Sequence, residues 1–288
     1  MILDFLSKAI SFLNSKKNIY LIETNDDIYF LKETLANENL IGIDTEFDWR
    51  NTYFPTLSLL QIVTKSEILL IDCLKLKKLN FLKNIIEDKA KTIIFHSSRS
   101  DTTVLSTNLN IKITNVFDIQ IAENIISGGD MKNYGAIVKK YISKNLEQSQ
   151  TNSNWLKRPF TDDQLAYAAE DVDFLIEIFK KQRNILKKLK KFDLAVQKSM
   201  EEAEKGNKEL YVSRIKKLKK PSRIEKKIFL WREEFASKLN IPPSQVLKDR
   251  KLKNLAKEIE LKKFDKESLK DFFKETFIAE DLLKNLNL

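Results

Sequence analysis

Three apolar stretches, Leu40 to Phe47, Leu57 to Thr64 and Glu67 to Cys73, follow one another across connections too short to hold a helix. Strands joined that tightly can pair only with their neighbours running the other way, so they predict an antiparallel meander. Two further strand-like segments, Thr92 to Ser97 and Asn115 to Ile119, sit between helical patterns that begin near Lys78, Ser100, Ile119 and Met131. Crossovers of that length allow parallel pairing, and the sum is a mixed sheet flanked by helices, an α/β fold. A short strand at Asn18 to Glu23 precedes it, with a helix to about Asn37 capped by Thr24 or Asn25.

From Thr161 onward the pattern is helical. Thr161-Asp162-Asp163-Gln164 has the form of a capping box with acids in the first turn, which predicts one long helix to about Lys190. A helical and basic linker over 193–221 then leads to a small all-α domain over 222–288. There Trp231, Phe235 and Leu239 stand at i, i+4 and i+8 before turn signals at Asn240 to Pro243. At the other end, Ile2, Leu6, Ile10 and Leu13 recur at helical spacing, so residues 1–17 read as an amphipathic extension that docks on the body. Asp4 and Lys8 interrupt that run, which speaks against a signal peptide, and the expected compartment is the cytoplasm.

Residue usage excludes several chemistries. With one cysteine, Cys73, and one histidine, His96, in 288 residues, there is no disulfide framework, no Cys/His zinc finger and no HExxH site. Five glycines leave no phosphate-cradling loop or dinucleotide fingerprint. A metal would have to be held by oxygen, which favours Mg²⁺ or Mn²⁺. The net charge is +10, and most of the excess lies late: 23 Lys and Arg face 16 Asp and Glu from Glu201 on, against 28 and 25 before it. Part of it is the run Arg214 to Lys220, with Arg214, Lys216 and Lys217, just before Pro221. Such a run suits an anionic partner, and equally a solvated helix face.

Carboxylates stand beside apolar or small residues in three places. Asp44 and Glu46 are two apart in an apolar strand, so both project from one face, while Ile41, Ile43 and Phe47 take the other. Close acids beside a hydrophobic sheet repel and lose hydration, a cost a bound cation or a raised pKa relieves; a solvent-facing pair is the plain alternative. Asp101 follows a buried-looking strand and fits either a site acid or a first-turn acid on a helix dipole. Tyr167 and Asp171 are i and i+4 on the long helix beside Ala168 and Ala169, with Glu170 as an i+3 alternative.

Together these residues resemble the three motifs of the DEDDy 3′→5′ exonucleases, and the ribonuclease D family in particular. Asp44-Thr45-Glu46-Phe47 is followed by Thr52-Tyr53-Phe54-Pro55 and Leu57-Ser58-Leu59-Leu60-Gln61. Then come Phe95-His96 ahead of Asp101, Asp118-Ile119-Gln120, Trp155-Leu156-Lys157-Arg158-Pro159 and Tyr167-Ala168-Ala169-Glu170-Asp171-Val172. Trp231-Arg232-Glu233-Glu234-Phe235-Ala236, Asn240-Ile241-Pro242-Pro243 and Leu252-Lys253-Asn254-Leu255 look like the HRDC domain that accompanies this nuclease. The resemblance runs from about residue 18 to the end.

It implies an RNase H-like exonuclease domain over 18–192 and an HRDC domain over 222–288. Asp44, Glu46, Asp101 and Asp171 would hold two divalent ions (Mg²⁺ or Mn²⁺), with Asp44 bridging. Tyr167 would orient the attacking water, since an ordinary tyrosine with a pKa near 10 is a poor base. The implied reaction releases nucleoside 5′-monophosphates from single-stranded RNA 3′ ends, tRNA precursors above all, by a monomeric protein. Thr45, Phe47, Tyr53 and His96 are candidate substrate contacts, with core packing as the alternative for the aromatics. Arg223, Lys226, Lys227, Lys248, Arg250, Lys251 and Lys253 would add phosphate contacts, so truncation after Lys220 should weaken RNA binding more than cleavage. Only one HRDC copy fits in the chain, and Asp48-Trp49 departs from the family pattern beside the first motif. A DNA-directed exonuclease and a non-catalytic nucleic-acid adaptor are the alternatives.

Overall fold

In the computed structural model the described residues are 15–146, 150, 152–261, 269, 272, 273 and 275–286; the extension helix predicted for the N-terminus falls mostly in 1–14, outside them. The chain forms two compact units. One consists of the chain up to Asp48 and Thr56–Asn207, the other of Trp49–Pro55 and the chain from Lys208 on. Among the described residues no helix is long and apolar enough to cross a membrane.

The first unit is built on six strands, β1 (Asn18–Ile22), β2 (Leu40–Asp48), β3 (Thr56–Val63), β4 (Glu67–Asp72), β5 (Thr92–Phe95) and β6 (Val116–Asp118), in the order β1-β4-β3-β2-β5-β6. β2, β3 and β4 are the expected antiparallel meander. β1 joins β4 in parallel, and β5 and β6 extend β2 in parallel. Because both faces of β3 and β4 are buried, these strands read as continuous apolar runs rather than alternating ones.

Helices cover the sheet as predicted in kind, with corrected bounds. α1 (Asp27–Ala36), α2 (Phe81–Ile86) and α3 (Arg99–Leu109) accompany one core, which contains Leu31, Leu35, Ile41, Ile43, Phe95 and Val104. α4 (Ile119–Ser127) and α5 (Tyr134–Ile142) belong to the opposite core. Neither Thr24 nor Asn25 caps α1; Asp26 holds that position, and the Asp27 carboxylate instead accepts from the amides of Glu23 and Thr24. The capping box at Thr161 and Gln164 is present, but the helix it starts is not one long rod. It stops as α6 (Asp162–Asp173), and α7 (Leu175–Lys188) restarts after Phe174.

The predicted linker is also corrected. Phe192–Asn207 forms α8, part of the sheet unit, with Ala195, Ser199, Ala203 and Gly206 buried along one side. The helical unit begins at Lys208 and contains α9 (Leu210–Ile215), α10 (Arg223–Leu239), α11 (Pro243–Val246), α12 (Asp249–Glu260) and α13 (Thr276–Leu286). α10 has its own capping box at Ser222 and Glu225 and ends on Asn240 at φ 50°, so the turn signal there is real. Trp231 is buried and its indole donates to Asp281 at 2.6 Å, Phe235 is half-buried, and Leu239 is exposed.

Tyr53 belongs to this helical core rather than to a nucleic-acid surface. It is 4% exposed, and its hydroxyl donates to Glu233 at 3.1 Å. Arg214 is committed to the same cluster, donating to Glu233 at 2.8 Å with its guanidinium 4.7 Å from the Tyr53 ring centre. For Tyr53 the core-packing alternative to a wedge role is the one that fits, and Arg214 is a half-buried partner of Glu233, neither a free phosphate contact nor part of a solvated helix face. A cut after Lys220 would remove Glu233 from both side chains. Lys216 and Lys217 are exposed.

Candidate active site

Alternation along β2 decides which groups meet. Ile41, Ile43 and Thr45 face the α1–α3 side, whereas Leu40, Gly42, Asp44 and Glu46 face α6 and α7. Gly42 is required for that face to be covered closely. A Cβ there would stand 2.4 Å from Val63 Cγ1 and 3.0 Å from Leu175 Cβ. With only hydrogen at Gly42, the start of α7 lies against β2, and α6 brings Tyr167 and Asp171 to the Asp44 side. A register shift between Glu46 and Phe47 re-aims the end of the strand. Phe47 is half-buried against the α1–α3 core, so its packing role accounts for its position.

Asp101 arrives from the other side through the β5–α3 turn. Ser97 adopts φ 64°, and the Asp118 carboxylate accepts from the amides of Ser97 at 3.1 Å, Ser98 at 2.8 Å and Gln120 at 2.9 Å. One carboxylate thus ties the start of α3 to the start of α4. Asp118 is itself held by α8, since its amide donates to Ser199 Oγ at 2.9 Å. Thr45 Oγ1 donates to Asp101 at 2.6 Å. Thr45 is buried, and its hydroxyl is committed to positioning Asp101.

α8 can serve as this buttress because Gly206 lets it approach α3. A Cβ on Gly206 would meet Thr102 Oγ1 at 2.0 Å and the Arg99 carbonyl at 2.3 Å. Gly206→Ala should destabilise the protein by about 1–3 kcal/mol through overpacking, read as a lowered midpoint in urea. A midpoint at or above wild type would contradict this packing.

The four acids sense one another. Asp44 and Asp101 hydrogen-bond, and burial above all pushes Asp44 up to about 6. Burial, then the Asp44 charge, drives Asp101 well above the usual carboxylate range. Burial followed by the charges of Asp44, Asp171 and Asp101 pushes Glu46 up to about 10. Asp171 rises to about 8, again by burial first and the Asp44 charge second, against the opposing hydrogen bond from Tyr167. Asp44 and Glu46 are half-buried, in place of the solvent-facing pair that was the alternative. Among the described residues no three such side chains are already spaced to enclose an ion. What the cluster offers a cation is its donor chemistry: four oxygen ligands, desolvated and mutually repelling, a set a hard divalent ion relieves.

A cleft of about 250 Å³ opens on this cluster, lined by Asp44, His96, Asn133, Tyr134, Tyr167 and Asp171 among others. Burial holds His96 below its ordinary range, and its Nε2 lies 3.1 Å from the Lys132 carbonyl. His96 remains a candidate substrate contact. Lys17, in the stretch the resemblance leaves out, donates to the Asp173 carboxylate at 2.5 Å and to its carbonyl at 2.7 Å, at the end of the helix that carries Asp171.

Residues 19–187 match the model of a 3′-5′ exonuclease family. The chain belongs to this 3′-5′ exonuclease family. A ribonuclease D of Desulfotalea psychrophila is 29% identical over 239 residues, covering 80% of this chain and 64% of the relative. A second, from Bartonella henselae, covers 82% of this chain and 60% of its own length, so the chain spans less than two thirds of the length of these curated relatives. In fold it is similar to the RNase D crystal structure from Escherichia coli, described as an exoribonuclease involved in structured RNA processing. The TM-score is 0.79 at 21% identity, over 94% of this chain and 76% of that one. Asp44, Glu46, Asp101, Tyr167 and Asp171 all lie inside the stretch that matches the exonuclease family.

Proposed function

We propose that this chain is a divalent-metal-dependent 3′→5′ exoribonuclease, releasing nucleoside 5′-monophosphates from single-stranded RNA 3′ ends, with tRNA precursors as the substrate class. It acts in the cytoplasm as a monomer, and residues 222–288 act as an HRDC module that adds phosphate contacts. The observation that carries this reading is the convergence of four carboxylates from β2, α3 and α6 whose charges act on one another, with Asp44, Asp171 and Tyr167 lining a cleft beside them. Placing like charges together in an apolar setting costs stability, and a reaction on a polyanion explains the cost. RNA as substrate is supported by the relatives' name, ribonuclease D.

Asp44, Glu46, Asp101 and Asp171 would hold the ions, two in number on the family resemblance. When bound, divalent cations supply positive charge at the scissile phosphodiester and make water more acidic. The protein's own part is positioning. Thr45 fixes Asp101, and Asp171 fixes the Tyr167 hydroxyl, which orients water for attack on the phosphorus of the last phosphodiester. Tyr167→Phe should lower single-turnover cleavage at saturating Mn²⁺ roughly 10- to 100-fold. Unaltered cleavage would remove Tyr167 from the mechanism.

Matched single strands of RNA and DNA, each labelled at the 5′ end, test the substrate. Stepwise shortening of RNA well ahead of DNA supports the reading, and equal or faster DNA shortening replaces it with a deoxyribonuclease.

A further inference from the structure

Gln61 is a buried amide without an occupation. It is 0% exposed, and neither its Nε2 nor its Oε1 has a hydrogen-bond partner; among the described residues no other buried side chain carries two such atoms. A side chain of that kind is costly where methionine or leucine would fill the same space. Gln61 stands directly opposite Asp44 in the β2–β3 ladder, and facing residues of an antiparallel pair project from the same side of the sheet. Leu59 and Val63 flank it on its own strand and Leu70 lies directly across on β4; of the acids diagonal to it on that side, Asp72 is taken by Arg158 and Glu46 stands opposite Leu59. The polar group directly opposite is the Asp44 carboxylate, which in this structure bonds Asp101 instead.

We propose that Gln61 is a positioning residue for Asp44, its amide donating to the Asp44 carboxylate in the cation-loaded site and standing idle while Asp44 is bonded to Asp101. This rests on the metal-dependent reading above. It gives the orphaned amide a partner in the working state, and it makes Gln61 a determinant of cation affinity without touching the cation. Outer hydrogen bonds to ligating carboxylates carry effects of that kind.

The test is Gln61→Met, which keeps the volume and removes the amide. Two quantities are read on the full chain: Mn²⁺ affinity, from the electron paramagnetic resonance signal of the free ion, and the thermal midpoint without metal. The expected result is affinity lowered about tenfold or more with a metal-free midpoint equal to or above wild type. Unchanged affinity overturns the proposal. A lowered midpoint overturns it too, because that is what removal of an amide satisfied by buried water, a purely structural one, produces. Should Gln61→Met not fold, Gln61→Asn, which withdraws the amide by one methylene, is judged by the same two readings. Wild-type protein that takes up no Mn²⁺ would sink the metal reading and this proposal together, whereas wild-type uptake with unaltered Gln61→Met sinks the proposal alone.

Discussion

Asp44→Asn should reduce exonuclease turnover by a factor of about 10³ or more while making the metal-free protein more stable. The two effects share one cause. Asp44 stands at the centre of the cluster: it hydrogen-bonds Asp101, and its charge raises Glu46, Asp101 and Asp171. Asparagine keeps the shape and removes the charge, so the repulsion felt by the other acids falls as the cation loses a ligand. At pH 8 the gain in stability should be on the order of 1–3 kcal/mol, a rise of roughly 2–10 °C in midpoint for a unit of this size. Loss of activity without a gain in stability would show that the acids are less crowded than the geometry indicates.

The second large effect is the pH dependence of the metal-free protein. Folded values of about 6 for Asp44, about 8 for Asp171 and about 10 for Glu46 all lie above the ordinary carboxylate values of 3.8 to 4.5. The folded state therefore keeps protons that the unfolded chain has released, and protonation favours folding. Their contribution to stability is complete below about pH 4 and is lost as pH rises through 6, 8 and 10. Between pH 5 and pH 8 the loss should reach a few kcal/mol, on the order of 5–10 °C. Saturating Mn²⁺ should restore about 3 kcal/mol at a hundred times its dissociation constant, and more at pH 8 than at pH 5, because protons must leave for the ion to enter. Scanning calorimetry at both pH values, with and without Mn²⁺, checks this. A metal-free midpoint that rises with pH would contradict the assigned cluster, as would one that a Glu46→Gln, Asp171→Asn double variant leaves just as steep.

Spacing placed Asp44 with Glu46 and Tyr167 with Asp171 on shared faces, and the resemblance to the DEDDy exonucleases joined them with Asp101 into one candidate site. Two residues apart in a strand and four apart in a helix each fix a face, and the tight meander fixes which strand lies central. The features with no local signature depend on partners far along the chain. Ser199 and Lys17 have no local mark of importance, since each acts through a residue distant in sequence. The α6–α7 break at Phe174 falls without glycine or proline, so nothing local announces it. α8 reads as a polar linker, although Ala195, Ser199, Ala203 and Gly206, spaced at four, four and three, trace a stripe of small residues that signals close helix packing. Tyr53 sits in an aromatic loop and resembles a wedge, yet its hydroxyl has a buried carboxylate 180 residues away.

The most direct test of the central claim is release of mononucleotides from a single-stranded RNA labelled at its 3′ terminus, with Mn²⁺ or Mg²⁺, with chelator, and with Asp44→Asn. Stepwise release of nucleoside 5′-monophosphates by the wild type, stopped by chelator and by the substitution, is the predicted result. Wild-type protein that binds the RNA and releases nothing with either ion would contradict it, and would leave a nucleic-acid-binding adaptor in its place.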